Sequence, residues 1–271
     1  MPDHDKTTFG MPVKDGVAAG GFVFTRALGL PGEVQPPNLT PDLETGVGGW
    51  TDGELMRAIR EGVGKDGHAL FPMMPYTSLR AMSDEDLRSL IVYLRALPPV
   101  KHQTQKTDLD FPVSVFIRAV PAPVTEPVNA PDPADSVAYG GYLVGLAQCK
   151  GCHTAMDGRG QSLAGREFAG GREFPLSWDD GKIGPRVVTA NITTDPETGY
   201  FGHSSKEDWI ARVRAYAKLE NARPTTALAN NTLMPWVEFS GLTDQDLGAI
   251  YDYMRTVPPI HNVVASFPDA G

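Results

Sequence analysis

Cysteine is almost missing from this chain: only Cys149 and Cys152 occur in 271 residues, so any thiol chemistry is confined to one short stretch. Basic residues are the minority, 24 Lys and Arg against 33 Asp and Glu. The resulting formal charge of −9 argues against the counterion-releasing grip of a nucleic-acid binder. No run of eighteen apolar residues exists. The most apolar candidate, 113–120, is short and interrupted by Arg118, so no membrane span is expected. The opening MPDHDKTTFG has no basic start, apolar run or small-residue cleavage site, and no export signal is read there. What is plentiful is Gly and Pro, 29 and 24 residues, alongside 41% apolar residues. That balance predicts a folded, loop-rich chain, and the length favours two domains over one.

An internal repeat organises the rest. Asn38-Leu39-Thr40-Pro41-Asp42-Leu43-Glu44-Thr45-Gly46 matches Asn191-Ile192-Thr193-Thr194-Asp195-Pro196-Glu197-Thr198-Gly199 at an offset of 153 residues, with six of nine positions identical. Met74-Pro75-Tyr76 matches Met234-Pro235-Trp236 at an offset of 160, and Pro98-Pro99 matches Pro258-Pro259 at the same offset. Between the copies lies a proline-rich stretch, 120–135, where fixed φ angles forbid helix and predict a semi-rigid linker. Four hydroxyl-x-x-acid signals predict helix starts at Thr51, Ser83, Ser204 and Thr243. Leu87, Leu90, Ile91 and Leu94, and in the second copy Leu247, Ile250, Tyr251 and Met254, fall at spacings of three and four, each predicting one buried stripe. A further helix is predicted over 136–148, weakened by Gly140, Gly141 and Gly145, which are placed to admit a close crossing.

The chemistry concentrates in Cys149-Lys150-Gly151-Cys152-His153. Two thiols from one helical turn, followed by an imidazole, have the spacing that ties a haem's vinyl carbons and ligates its iron. The same pair could form a disulfide or a thioredoxin-like couple. That couple does not require the following His and belongs in βαβ surroundings that the pattern lacks. A zinc site would need two more ligands with paired spacing. The sixth iron ligand is expected to be a soft donor, and the repeat selects Met234: a Met-Pro pair stands in register in both copies, with Met74 as its first-copy equivalent.

These residues, together with the two Asn-x-Thr-x-Asp-x-Glu-Thr-Gly loops, resemble bacterial dihaem cytochromes c made of two fused class I cytochrome domains. The resemblance covers nearly the whole chain. It implies a mainly α fold of two cytochrome c-like helical domains with long loops, 1–119 and 136–271, joined by the 120–135 linker. It further implies covalent haem c held by Cys149 and Cys152, with His153 proximal and Met234 distal. Export to the periplasm and one-electron transfer follow, in place of catalysis. Redox protein partners such as a membrane-bound dehydrogenase or oxidase are expected, and no nucleic acid. One rival is a haem enzyme of peroxidase type, which needs an open iron position; another makes the first domain a docking module.

The first copy departs from the pattern, having no Cys-x-x-Cys-His. Met1 can be laid against Met156, because Ala19-Gly20-Gly21 then answers Ala169-Gly170-Gly171. The expectation is an N-terminally truncated dihaem protein whose first attachment motif and export signal lie upstream. This sequence would then carry one haem and the longer form two, leaving Met74 as an orphan ligand. The alternative is a degenerate copy that has lost its haem. The Asn191 loop is read as ordinary turn chemistry and His203 as a surface residue. His4, His68, His102 and His261 receive no role. Trp178 and Trp209 are read as core, and Trp236 is placed against the macrocycle.

Overall fold

The computed structural model describes residues 18–26, 29–158, 160–175, 186–218 and 233–268. Met1, His4 and Trp178 lie outside these residues. The chain is partly helical, 35% helix with little sheet, and divides into two compact units at Ala130 and Pro131.

In the first unit, β1 (Gly32–Glu33) pairs antiparallel with β2 (Asp108–Leu109), and around them stand α1 (Asp52–Glu61), α2 (Tyr76–Leu79), α3 (Asp84–Ala96) and α4 (Val113–Phe116). Thr51 starts α1 as a full capping box, its hydroxyl accepting from Glu54 N at 3.2 Å while Thr51 N donates to the Glu54 carboxylate at 2.7 Å. Ser83 caps α3 through Asp86 N. The core contains Val47, Leu55, Ile59, Tyr76, Leu87 and Ile91, all buried. Arg60, at the end of α1, is buried as well and reaches Met82 O and the Asp84 carboxylate.

The second unit contains α5 (Ser136–Leu146), α6 (Cys149–Cys152), an antiparallel pair of β3 (Glu173–Pro175) and β4 (Arg186–Val188), then α7 (Tyr200–His203), α8 (Lys206–Arg214), α9 (Trp236–Phe239) and α10 (Asp244–Met254). Val144, Phe168, Phe201, Trp209, Val213, Leu247, Ile250 and Met254 form its core. Burying each large side chain of this kind contributes about 1.5–3 kcal/mol. α5 and α10 cross closely: a Cβ at Gly140 would lie 1.9 Å from Ala249 O and one at Gly141 2.9 Å from the Tyr253 ring, so only glycine lets these two helices meet. Tyr139, one residue earlier, donates its hydroxyl to Asp246 at 2.9 Å.

Two expectations need adjusting. The predicted helix start at Ser204 falls one residue later, on Ser205, which forms a capping box with Asp208. Ser204 instead terminates α7, its N–H bonding Tyr200 O, and its own carbonyl accepts from Tyr251. The helix predicted over 136–148 ends at Leu146, because Gln148 takes a left-handed conformation, φ 59°, that re-aims the chain into α6.

The repeat is visible atom by atom. Asn38 donates to Val100 O at 2.8 Å and Asn191 to Ile260 O at 2.8 Å. Thr40 donates to Asn38 Oδ1 at 2.7 Å, Thr193 to Asn191 Oδ1 at 2.8 Å. Asp42 Oδ1 accepts from Thr45 N and Asp195 Oδ1 from Thr198 N, each at 2.7 Å. Each loop is thereby stapled to the segment just past the Pro-Pro pair. Gly20 and Gly170, at φ +69° and +74°, occupy corresponding tight spots where a Cβ would sit 2.4 Å from the Pro36 and Thr189 carbonyl oxygens.

Candidate metal centre

The attachment turn is built from α5 downward. Its crossing with α10 fixes where α5 ends, the left-handed Gln148 turns the chain, and α6 then presents both cysteines on a single turn with His153 as its C-terminal cap. Both thiols are free. Cys149 is half-buried and packs against the core that Trp236 also borders, while Cys152 is exposed. Thr154 is fully buried behind them, its hydroxyl donating to Lys150 O at 2.7 Å, which ties the residue after His153 back onto the turn.

The imidazole is oriented by backbone. His153 Nδ1 lies 2.8 Å from Ala190 O, and a carbonyl can only accept, so Nδ1 carries the proton and Nε2 keeps a lone pair. Burial holds the His153 pKa below its ordinary value, opposed by the Ala190 bond, so the ring is neutral near pH 7. Burial pushes the Cys149 thiol up to about 12, with the neighbouring Cys152 adding to the rise; burial raises Cys152 too, opposed by the positive charge of Arg172. Both sulfurs are therefore thiols, not thiolates, at neutral pH.

The structure places the expected residues Cys149, Cys152 and His153 on one turn. Met234 lies half-buried in the loop just ahead of α9, where Trp236 N donates to Met234 O at 2.8 Å. Met74 sits in the same backbone turn ahead of α2, with Tyr76 N donating to Met74 O at 2.8 Å. His203 closes α7 with its ring against Tyr200.

Two features gave no warning in the sequence. One is the Ala190 carbonyl, a backbone group. The other is Arg172, whose guanidinium donates to Gly151 O at 2.6 Å and lies 4.7 Å over the Phe174 ring, placing a half-buried positive charge beside Cys152. Its first-copy counterpart in the Ala-Gly-Gly register is Phe22. A third residue, His261, was given no role and stands 3.5 Å from Asp195 and 3.7 Å from Glu197.

Two thiols on one turn, then a neutral imidazole with Nδ1 engaged and Nε2 available, make a donor set that fits a covalently attached haem. Among the described residues no group of three or more His, Cys, Asp or Glu could hold a bare metal ion. Fold and donors together define the class of c-type cytochromes.

Comparison with known proteins agrees. No family model matches the chain. A diheme cytochrome c-type protein of Cereibacter sphaeroides is 31% identical over 234 residues, covering 83% of this chain and 71% of that protein. The gluconate 2-dehydrogenase cytochrome c subunit of Pantoea cypripedii is 30% identical over 251 residues, 88% of this chain and 54% of the subunit. The cytochrome c subunit of the quinone alcohol dehydrogenase of Komagataeibacter europaeus is 31% identical over 255 residues, 89% and 51%. The chain belongs to the cytochrome c family. It spans about half the length of the dehydrogenase subunits it matches.

Proposed function

We propose that this chain carries single electrons through a covalently bound haem c attached at Cys149 and Cys152, with His153 as proximal and Met234 as distal iron ligand. The observation that carries the reading is the His153–Ala190 bond on the same turn as two free thiols. When bound, the haem supplies a reversible one-electron iron couple. Cys149 and Cys152 would hold the haem through thioether bonds, whose formation by adding S–H to a vinyl group would need no oxidant. The Ala190 carbonyl fixes the His153 tautomer and ring orientation and makes its free nitrogen more basic. Met234 contributes a soft thioether, the donor that raises the potential in electron-transfer cytochromes.

The relatives named as cytochrome subunits of gluconate and alcohol dehydrogenases support a dehydrogenase as electron donor and a respiratory protein as acceptor, outside the cytoplasm, where c-type haems are attached. Among the described residues no helix is long and apolar enough to cross a membrane. In this reading 1–119 is a cytochrome c-like domain lacking its attachment motif, 120–135 the linker and 136–271 the haem-binding domain. Met74 is the first domain's equivalent of the Met234 ligand.

The test is a haem count per chain by pyridine haemochrome absorbance on protein exported in a host that matures cytochrome c. One haem with a six-coordinate low-spin spectrum is expected, and Met234→Ala should convert it to a spectrum with an open position. A chain that emerges from competent maturation without haem, or one that turns over peroxide with Met234 intact, would sink the carrier reading.

A further inference from the structure

In the first unit an open cleft of about 480 Å³ lies between α1, the start of α3 and a proline-rich strap, 124–127. The strap is pinned at both ends: Val124 N donates to the Glu61 carboxylate at 3.0 Å, and Val128 O accepts from Asp84 N at 2.8 Å. Three arginines line the cleft, Arg57 and Arg60 from α1 and Arg88 from α3. Arg60 is only 7% exposed, and its Nε, like the buried Nε of Arg57, has no hydrogen-bond partner among the described residues. A buried guanidinium N–H without an acceptor is costly and calls for a reason. Of the acids in the lining, Asp84 is taken by Arg60 at 2.6 Å and Glu61 by the strap, which leaves Glu126.

The repeat separates structural arginines from the others. With the capping residues Thr51 and Ser205 aligned, and α3 laid on α10, Arg214 answers Arg60 and Asp244 answers Asp84. Arg214 reaches Leu242 O and Asp244 just as Arg60 reaches Met82 O and Asp84. That pair ties the end of one helix to the start of another in both units. Arg57, Glu61 and Arg88 are not part of the shared device, because Ala211, Ala215 and Gly248 stand in their places.

We propose that this cleft binds a small oxyanion, the carboxylate or phosphate group of a small molecule, between Arg57, Arg60 and Arg88. Planar guanidinium forks match the geometry of both groups. The cleft has the size of a small-molecule site, and Met56 and Val124 in its lining offer apolar wall to the carbon part of the ligand. Glu126 opposes an anion there and lowers its affinity. Every residue of the site belongs to the first unit, so the inference does not depend on haem attachment at Cys149 and Cys152.

The experiment titrates the haem-loaded full chain by isothermal calorimetry with sodium succinate and, separately, with inorganic phosphate, the ionic strength being held constant with chloride. Hydrogen exchange is read over 53–61, 84–88 and 124–128. At least one probe should bind saturably with a dissociation constant of about 1 mM or tighter and slow exchange in those segments. Arg88→Gln should weaken it ~10-fold, the loss of one charge-assisted hydrogen bond. Glu126→Gln should tighten it ~3-fold by removing a negative charge from the cleft. Both positions are exposed, and equal thermal midpoints in chloride check that the variants fold. Binding of succinate alone assigns the group to a carboxylic acid, and binding of phosphate alone to a phosphate ester; either supports the site. Binding of neither overturns the proposal, as does binding that both variants leave unchanged or protection confined to other segments.

Discussion

Gly140→Ala should destabilise the second unit although alanine is the better helix former. In α5 the exchange adds helix propensity of about 1 kcal/mol. Against that, the new Cβ would stand 1.9 Å from Ala249 O, 2.5 Å from Ala249 C and 2.9 Å from Tyr253 Cβ. The first two are backbone, so no rotamer change relieves them, and the helices must separate by at least about 1 Å to reach a tolerable contact. Overpacking of this kind costs about 1–3 kcal/mol, leaving a net loss of up to about 2 kcal/mol. Gly145 supplies a control on the same helix: it is exposed and a Cβ there meets nothing within 4 Å, so Gly145→Ala should gain about 0.5–1 kcal/mol. The two variants should therefore differ by about 2 kcal/mol, roughly 1 M in urea midpoint. Tryptophan fluorescence reads the right unit, since three of the four tryptophans lie beyond residue 136. Equal midpoints for the two variants would refute the claim that this crossing, which aims α5 into the attachment turn, is closed to a single methyl group.

Four further outcomes can be checked. Tyr76 is fully buried and its hydroxyl has no hydrogen-bond partner among the described residues, so Tyr76→Phe should stabilise the first unit by about 1 kcal/mol, measured as the midpoint of Trp50 fluorescence. Asn191→Ala strips a buried side chain that donates to Thr198 and Ile260 and accepts from Thr193; a loss of about 2–4 kcal/mol is expected, with a similar loss for Asn38→Ala, and hydrogen exchange should localise each to its own unit. The Thr198 hydroxyl and amide, opposed by burial, hold the Asp195 carboxyl below the usual range. That stabilisation is complete above the unfolded value of about 4 and disappears as pH falls through the lower folded value. Asp195→Asn should flatten the acid limb of a stability profile below pH 4. In protein produced without haem, iodoacetamide should modify exposed Cys152 well before Cys149, whose pKa of about 12 keeps it a thiol at pH 8; peptide mapping showing the reverse order would contradict the burial assignment.

Legibility in the sequence followed the physics of each feature. Capping is local, so Thr51, Ser83 and Thr243 were readable as helix starts, and the one slip, Ser204 for Ser205, arose where two adjacent serines each had an acid three residues on. Only the tertiary demand on Ser204 to end α7 decides between them. A close crossing was legible because glycine in a helix is costly enough to need a reason, but only Gly140 and Gly141 serve it, while Gly145, read with them, faces open space. The Cys149–His153 spacing was legible because adjacent sequence alone puts these residues on one turn. The Ala190 carbonyl was not, since any residue supplies one, and what places it is the stapled loop that begins at Asn191. Arg172 was missed for a related reason: a single arginine has no periodicity, and its meaning comes from Gly151 and Phe174, brought to it by the β3 hairpin.

The two copies share one loop staple. The equivalent bonds of the Asn-Thr-Asp-Thr staple agree to within about 0.3 Å, as in 3.2 Å for Asn38 to Thr45 against 2.9 Å for Asn191 to Thr198. Residues elsewhere differ between the copies: Phe22 for Arg172, Ser89 for Ala249, Lys101 paired with Glu44 where His261 faces Glu197. In both units the staple holds the loop to the segment past the Pro-Pro pair. Ala190 can offer its carbonyl to His153 because the next residue, Asn191, is held so firmly.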